Sequence, residues 1–191
     1  MKFLELTINS EQSTINSKTM SLFNQILNAI NNPEQEGSTG QLSNIFGTIE
    51  QLSNNYQTSP SAIQSALSII GNYTRSSLKE KRNTEGEQQV QQIINQFGGT
   101  QPSPQVVNML FNMPQLEQML QQVESKTGIN SRTIQSMLPV LVPLILNFLK
   151  TGNNAQNPQA SNSVANSFLD ADGDGDVDIA DAMGMAMQYL R

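Results

Sequence analysis

The chain has 191 residues, enough for one ordinary domain with a core and a small appendage. It contains no cysteine and no histidine, which excludes disulfides, thiolate chemistry and the commonest general base and transition-metal ligand. The net charge is −6, and six aspartates clustered between positions 170 and 181 account for all of it, so the rest of the chain is near neutral and gives no steering toward nucleic acid or acidic membranes.

Residues 1–19 show no sustained apolar pattern and read as a poorly ordered extension, which makes Met20 a candidate translation start. They also lack the long apolar stretch of a secretory signal, and the expectation is a cytoplasmic protein. "SLFNQILNAI" then sets Leu22, Phe23, Ile26, Leu27 and Ile30 on one helical stripe that stops at Pro33. "QLSNIFGTIEQLSNNY" does the same with Leu42, Ile45, Phe46, Ile49, Leu52 and Tyr56. In "TSP", Ser59 can cap and Pro60 can fill the first helical position, starting a helix that runs to about Lys81 with Ile63, Ala66, Leu67 and Ile70 inward. "EQQVQQIINQF" follows with Val90, Ile93, Ile94 and Phe97, and ends at the glycines 98 and 99.

Ser103 and Pro104 start another helix in the same way. Pro114 opens the next, with Leu116, Met119, Leu120 and Val123 inward and Gly128 closing it. A long helix from Ser131 to Lys150 follows. Its run Met137–Leu149 is apolar, too short to span a bilayer, and carries Pro139 and Pro143, which are expected to kink or split it. "TGNNAQNPQASNS" reads as a flexible linker over 153–163. No strand pair is evident. The predicted fold is an all-α multihelical bundle, with residues 20–152 as the body and 164–191 as a small C-terminal unit. The body is expected to fold without that unit.

Asn and Gln are abundant, either as polar drift on exposed helix faces or as an aggregation-prone tract. Residues 61–79 also align without gaps to 132–150, pairing Ile63, Leu67, Leu78 and Lys79 with Ile134, Leu138, Leu149 and Lys150. A duplicated helical hairpin and a coincidence between two amphipathic helices both account for this.

The stretch "DADGDGDVDIAD" holds every aspartate of the chain: Asp170, Asp172, Asp174, Asp176, Asp178 and Asp181. Closely spaced carboxylates repel unless a cation lies among them. A hard cation such as Ca²⁺ takes about six to eight oxygens, and a loop offering them at positions 1, 3, 5, 7, 9 and 12 wraps one ion. Counted from Asp170, those positions are Asp170, Asp172, Asp174, the carbonyl of Asp176, Asp178 and Asp181. Gly175 falls at the sharp turn of position 6 and Val177 at the apolar position 8. The alternative is an acidic loop without an ion.

The loop resembles an EF-hand, and its closing Asp makes it more similar to the dockerin form. The resemblance implies calcium as cofactor, with all six aspartates as ligands. Asp181 stands where an EF-hand has Glu, and its shorter stem suits one oxygen rather than two, which lowers the expected affinity. Helices are expected on both sides, with Val164, Phe168 and Leu169 before the loop and Ile179, Ala182, Met183, Ala186, Met187 and Leu190 after it. The methionines read as a packing face or as an adaptable groove for partners. So small an apolar surface is expected to be completed by contact with the body or with a second copy.

The opening "SLFNQILNAI", the turn at Thr127 and Gly128, and "MLPVLVP" within the following helix resemble the YidB-like bacterial family of unknown function. The resemblance covers most of residues 20–152. It implies a multihelical fold and supplies no catalytic residues. Glu50, Glu117 and Glu124 are the remaining candidate bases, without a visible constellation around them. Arg75, Lys79 and Arg82 share a helical face, suited either to nucleic acid or to complementing a helix C-terminus. The expected function is non-enzymatic: a calcium-responsive interaction or scaffolding module with a protein partner or self-association and no nucleic acid. Its rivals are calcium as a structural staple and an enzyme with an unrecognised site.

Overall fold

In the computed structural model, which describes residues 24–170 and 179–189, several helices begin where the sequence offers a small polar cap. Helix α1 covers 24–31 and α2 covers Thr39–Asn55. Helix α3 is Pro60–Glu85, α4 is Glu87–Phe97 and α5 is Pro104–Leu110. Helix α6 is Met113–Thr127, α7 is Ser131–Lys150, α8 is Ser163–Asp170 and α9 is Ile179–Tyr189. The side chains of Ser38, Ser59, Ser103, Asn112 and Asn130 each accept from a backbone N–H in the first turn of α2, α3, α5, α6 and α7. Asn112 and Gln115 cap each other's backbone reciprocally. Gly128 closes α6 in the left-handed region at φ 75°. Residues 1–23, which hold the expected extension, Met20, Leu22 and Phe23, lie outside the described residues.

The fold is an all-α multihelical bundle, and no strand forms among the described residues beyond one bridge between Gln35 and Asn154. Two helices carry the core. Helix α3 touches α2, α4, α5, α6, α7, α8 and α9, and α7 touches α2 to α6 and α8. The two segments that align in sequence fall on these two central helices, and Ile63, Leu67, Leu78, Ile134, Leu138 and Leu149 are all buried.

Pro139 and Pro143 do not split α7, which runs unbroken through both. Pro143 has no N–H to give the carbonyl of Pro139 four residues earlier. The backbone N–H of Ser103 donates to that carbonyl instead, at 2.7 Å, and the N–H of Gly99 reaches the carbonyl of Pro143 at 3.2 Å. The connection from α4 to α5 thus fills the gap that Pro143 leaves and adds a second bond to α7 one turn further on. By length and composition α7 is the one described helix able to cross a membrane, being longer than the apolar run read from the sequence; 67% of its apolar window is buried inside the body.

The segment 153–163 was expected as a flexible linker, and the structure differs. The backbone N–H groups of Glu36 and Gly37 donate to the carbonyls of Asn153 and Thr151 at 2.9 and 3.0 Å, and the N–H of Ala155 donates to the carbonyl of Glu34 at 2.7 Å. Asn153 and Asn162 are buried. Asn153 Oδ1 accepts from Gln91 Nε2 at 2.5 Å and from Asn162 Nδ2 at 2.7 Å. Asn153 Nδ2 donates to Asn95 Oδ1 at 2.6 Å and to Glu36 Oε2 at 3.2 Å. Asn162 also donates to the carbonyl of Leu149 and accepts from the N–H of Ala165, so it caps α8. A polar composition that suggests solvation serves here as a satisfied buried network.

Candidate metal site and its seat on the body

Helices α8 and α9 bracket the aspartate loop, and both are held against the body. Val164, Ala165, Phe168 and Leu169 of α8 are buried, as are Ile179, Ala182, Met183 and Ala186 of α9. The apolar surface flanking the loop is therefore completed on the body, chiefly by α3, and Met183 belongs to that packing. The side chain of Met187 and all of Leu190 lie outside the described residues.

One close approach positions α9. A Cβ at Gly71, in the middle of α3, would lie 2.7 Å from Ile179 Cγ2. Only a residue without a side chain lets Ile179 sit directly on the α3 backbone. One turn further along α3, Arg75 is only 4% exposed, and its guanidinium carbon stands 4.8 Å from the centre of the Phe168 ring.

Of the six expected ligands, the structure describes two. Asp170 is the last described residue of α8, and Asp181 lies exposed near the start of α9 as described. Asp172, Asp174, Asp176 and Asp178, with Gly175 and Val177, lie outside the described residues. The first and last expected ligand positions thus lie on two helices on either side of residues 171–178. A donor set of carboxylates and carbonyls is the chemistry that a hard divalent ion takes. Among the described residues no three acidic side chains come together. Asp170 is instead engaged from the body: Arg82 Nη2 lies 2.9 Å from its Oδ1, with the two side chains 25% and 64% exposed.

The basic trio expected as a surface face is divided by this packing. Arg75 is buried under α8, Arg82 pairs with Asp170, and Lys79 is half-buried. Helix α3 continues to Glu85, beyond the expected Lys81, with Lys81 and Glu85 paired at 3.1 Å on its last turn. Glu50, Glu117 and Glu124 are exposed, and Glu124 accepts from the Ser131 hydroxyl. An open groove of about 570 Å³ lies between α2 and residues 100–102; Ser43, Asn44, Thr48 and Gln51 offer it hydrogen bonds, and its lining contains no acid or base.

Gly71 and the amides of Gln91, Asn153 and Asn162 were not identified from the sequence, and Arg82 was read only as part of a basic face. Asn162 ahead of "SVANSF" carried a cap signal that its polar surroundings obscured. Compared with known protein families, curated proteins and solved structures, the chain matches none.

Proposed function

We propose that the chain is a non-enzymatic calcium-binding protein that acts as a calcium-responsive interaction or scaffolding module, with a protein partner or a second copy of itself. The observation that carries this reading is the recurrence of six aspartates at the spacing of a single cation site, with Asp170 on α8 and Asp181 on α9 at its two ends. A bound calcium ion supplies positive charge that offsets carboxylate repulsion and ties the loop together. The residues of the chain do the rest. Asp170 and Asp181 fix the ends of the loop, and Phe168 and Ile179 transmit its state to α3. The likeness of residues 20–152 to the YidB-like family is part of this proposal and adds no activity.

A second reading is favoured by one observation. Helices α8 and α9 already bury their apolar faces on the body, so calcium can act as a staple that stabilises the docked unit without changing what it touches.

Calorimetry tests the common ground of both readings. About one Ca²⁺ should bind, with a dissociation constant no tighter than roughly 10⁻⁷ to 10⁻⁵ M. Asp170→Ala should weaken it. No heat at millimolar calcium ends both readings. Light scattering and partner binding across the same titration separate them. A responsive module changes mass or affinity with calcium. A staple changes only the melt, by about 2.7 kcal/mol at a hundred times the dissociation constant.

A further inference from the structure

We propose that the groove between α2 and residues 100–102 is a binding site for an uncharged, polyhydroxylated ligand, a neutral oligosaccharide. The proposal uses none of the aspartates and is independent of the calcium reading above.

Asn44, Thr48, Gln51 and Asn55 recur along α2 at intervals of four, three and four residues, which sets them in one row along the groove. Thr100 and Gln101 line it from the facing segment. The side chains of Asn44, Gln51, Asn55 and Gln101 are exposed and make no hydrogen bond among the described residues. The Thr48 hydroxyl donates to the carbonyl of Asn44 at 2.8 Å, so its lone pairs remain to accept.

Such a row also suits a solvated helix face. Two observations favour a ligand. The first is Gly47, in the interior of α2, where glycine is disfavoured against alanine. Gly71, Gly98 and Gly152 are held to glycine by close neighbours, but a Cβ at Gly47 would meet nothing within 4 Å. Packing gives no reason for this glycine. It lines the groove, where bare backbone lets a ligand lie directly against α2. The second is enclosure. The groove holds about 570 Å³, within the roughly 300–1,000 Å³ of small-ligand sites. A further opening of about 620 Å³ shares Asn44 and Thr100 with it, and the charged Glu36 and Lys150 line only that one.

The ligand class follows from the lining. No acid or base among the described residues lines the groove, so nothing there selects an ion. Amides and hydroxyls both donate and accept, as sugar hydroxyls do. Leu52, Pro102 and Val140 supply an aliphatic surface for the C–H face of a sugar ring. An extended peptide is held by a sheet edge or by apolar side-chain pockets. Helix α2 spends its backbone bonds within itself and offers neither. No aromatic ring lines the groove, so hydrogen bonds carry the binding, with a dissociation constant on the order of 1 mM.

The test is a nuclear magnetic resonance titration of the full chain, in chelator, with maltotriose, cellotriose and chitotriose in turn, each to roughly twenty times that constant. Glycerol and an end-capped Ser-Asn-Gln-Ser peptide are the comparators. At least one sugar should give saturable shifts confined to Asn44, Gly47, Gln51, Thr100 and Gln101, side-chain amides included. Gln51→Ala alters an exposed side chain and leaves the fold intact. It should weaken binding about two- to tenfold, the worth of one hydrogen bond. Gly47→Gln should weaken it at least about fivefold by filling the groove. Its thermal melt should be no lower than wild type, because glutamine favours the helix. A stable variant that no longer binds separates a blocked site from a misfolded one. No saturable shift with any of the three sugars overturns the proposal. So does an equal response to glycerol, which marks nonspecific polyol contact, and so does saturable binding of the peptide alone, which makes this a peptide groove. Sugar shifts that neither variant weakens overturn it as well, since they place the sugar elsewhere.

Discussion

The backbone N–H of Ser103 donates to the carbonyl of Pro139 at 2.7 Å, while its hydroxyl accepts from the N–H of Val106. One residue thus caps α5 and fills the vacancy that Pro143 leaves in α7. Removing a proline from a helix interior ordinarily gains about 3 kcal/mol. Here Pro143→Ala adds a donor for a carbonyl already in use. The expected gain is below about 1 kcal/mol by urea unfolding. Hydrogen exchange gives the local readout: the Ser103 amide should be protected in wild type and less protected in Pro143→Ala.

Phe168 is fully buried against α3 beneath Arg75. Phe168→Ala should cost about 3–5 kcal/mol by chemical denaturation. Phe168→Leu should cost clearly less, since it keeps most of the volume. A tail resting loosely on the body would show neither loss.

Gly71→Ala is a test by sign. Helix propensity alone favours alanine by about 1 kcal/mol. The close approach of Ile179 predicts destabilisation instead. In an Ile179→Ala background the clash is gone, and Gly71→Ala should turn neutral or stabilising. Thermal melts of the four proteins give the coupling as a double-mutant cycle.

The 153–163 segment should resist limited proteolysis, where a flexible tether would be cut first. Asn162→Ala should cost about 2–4 kcal/mol, from a lost cap and buried partners left unpaired. Asn162→Asp keeps the acceptor for Ala165 but loses the donor to the Leu149 carbonyl. It should therefore be no better than the alanine variant in a urea melt.

What could be read from the sequence was local. Ser59 with Pro60, Ser103 with Pro104, and Gly128 marked helix ends because caps and turns act within a few residues. The apolar stripes gave the core for the same reason: Leu42, Ile45, Ile49, Met119 and Val123 are all buried where the period placed them. The misreadings were long-range. The continuity of α7 depends on Ser103, far from Pro139 in the chain. The order of 153–163 depends on Glu36 and Gln91. Arg75 looked like a surface cation because nothing near it in sequence shows that α8 covers it. For the candidate site, the spacing singled out Asp170 and Asp181 but not Arg82, whose relation to the loop exists only after folding.

Gly71 and Ile179 meet across about a hundred residues of intervening chain, and this has a consequence during synthesis. At about 5–20 residues per second, a ribosome takes on the order of 5–20 s to pass from one to the other. Through that interval the middle of α3 has its early neighbours and lacks α9. Its bare backbone stripe, with Arg75 beside it, stays open to a chaperone or to the α9 of another chain. Crowded polysomes should therefore favour exchange of α9 between nascent copies, and slow, dilute translation should favour its closure within one.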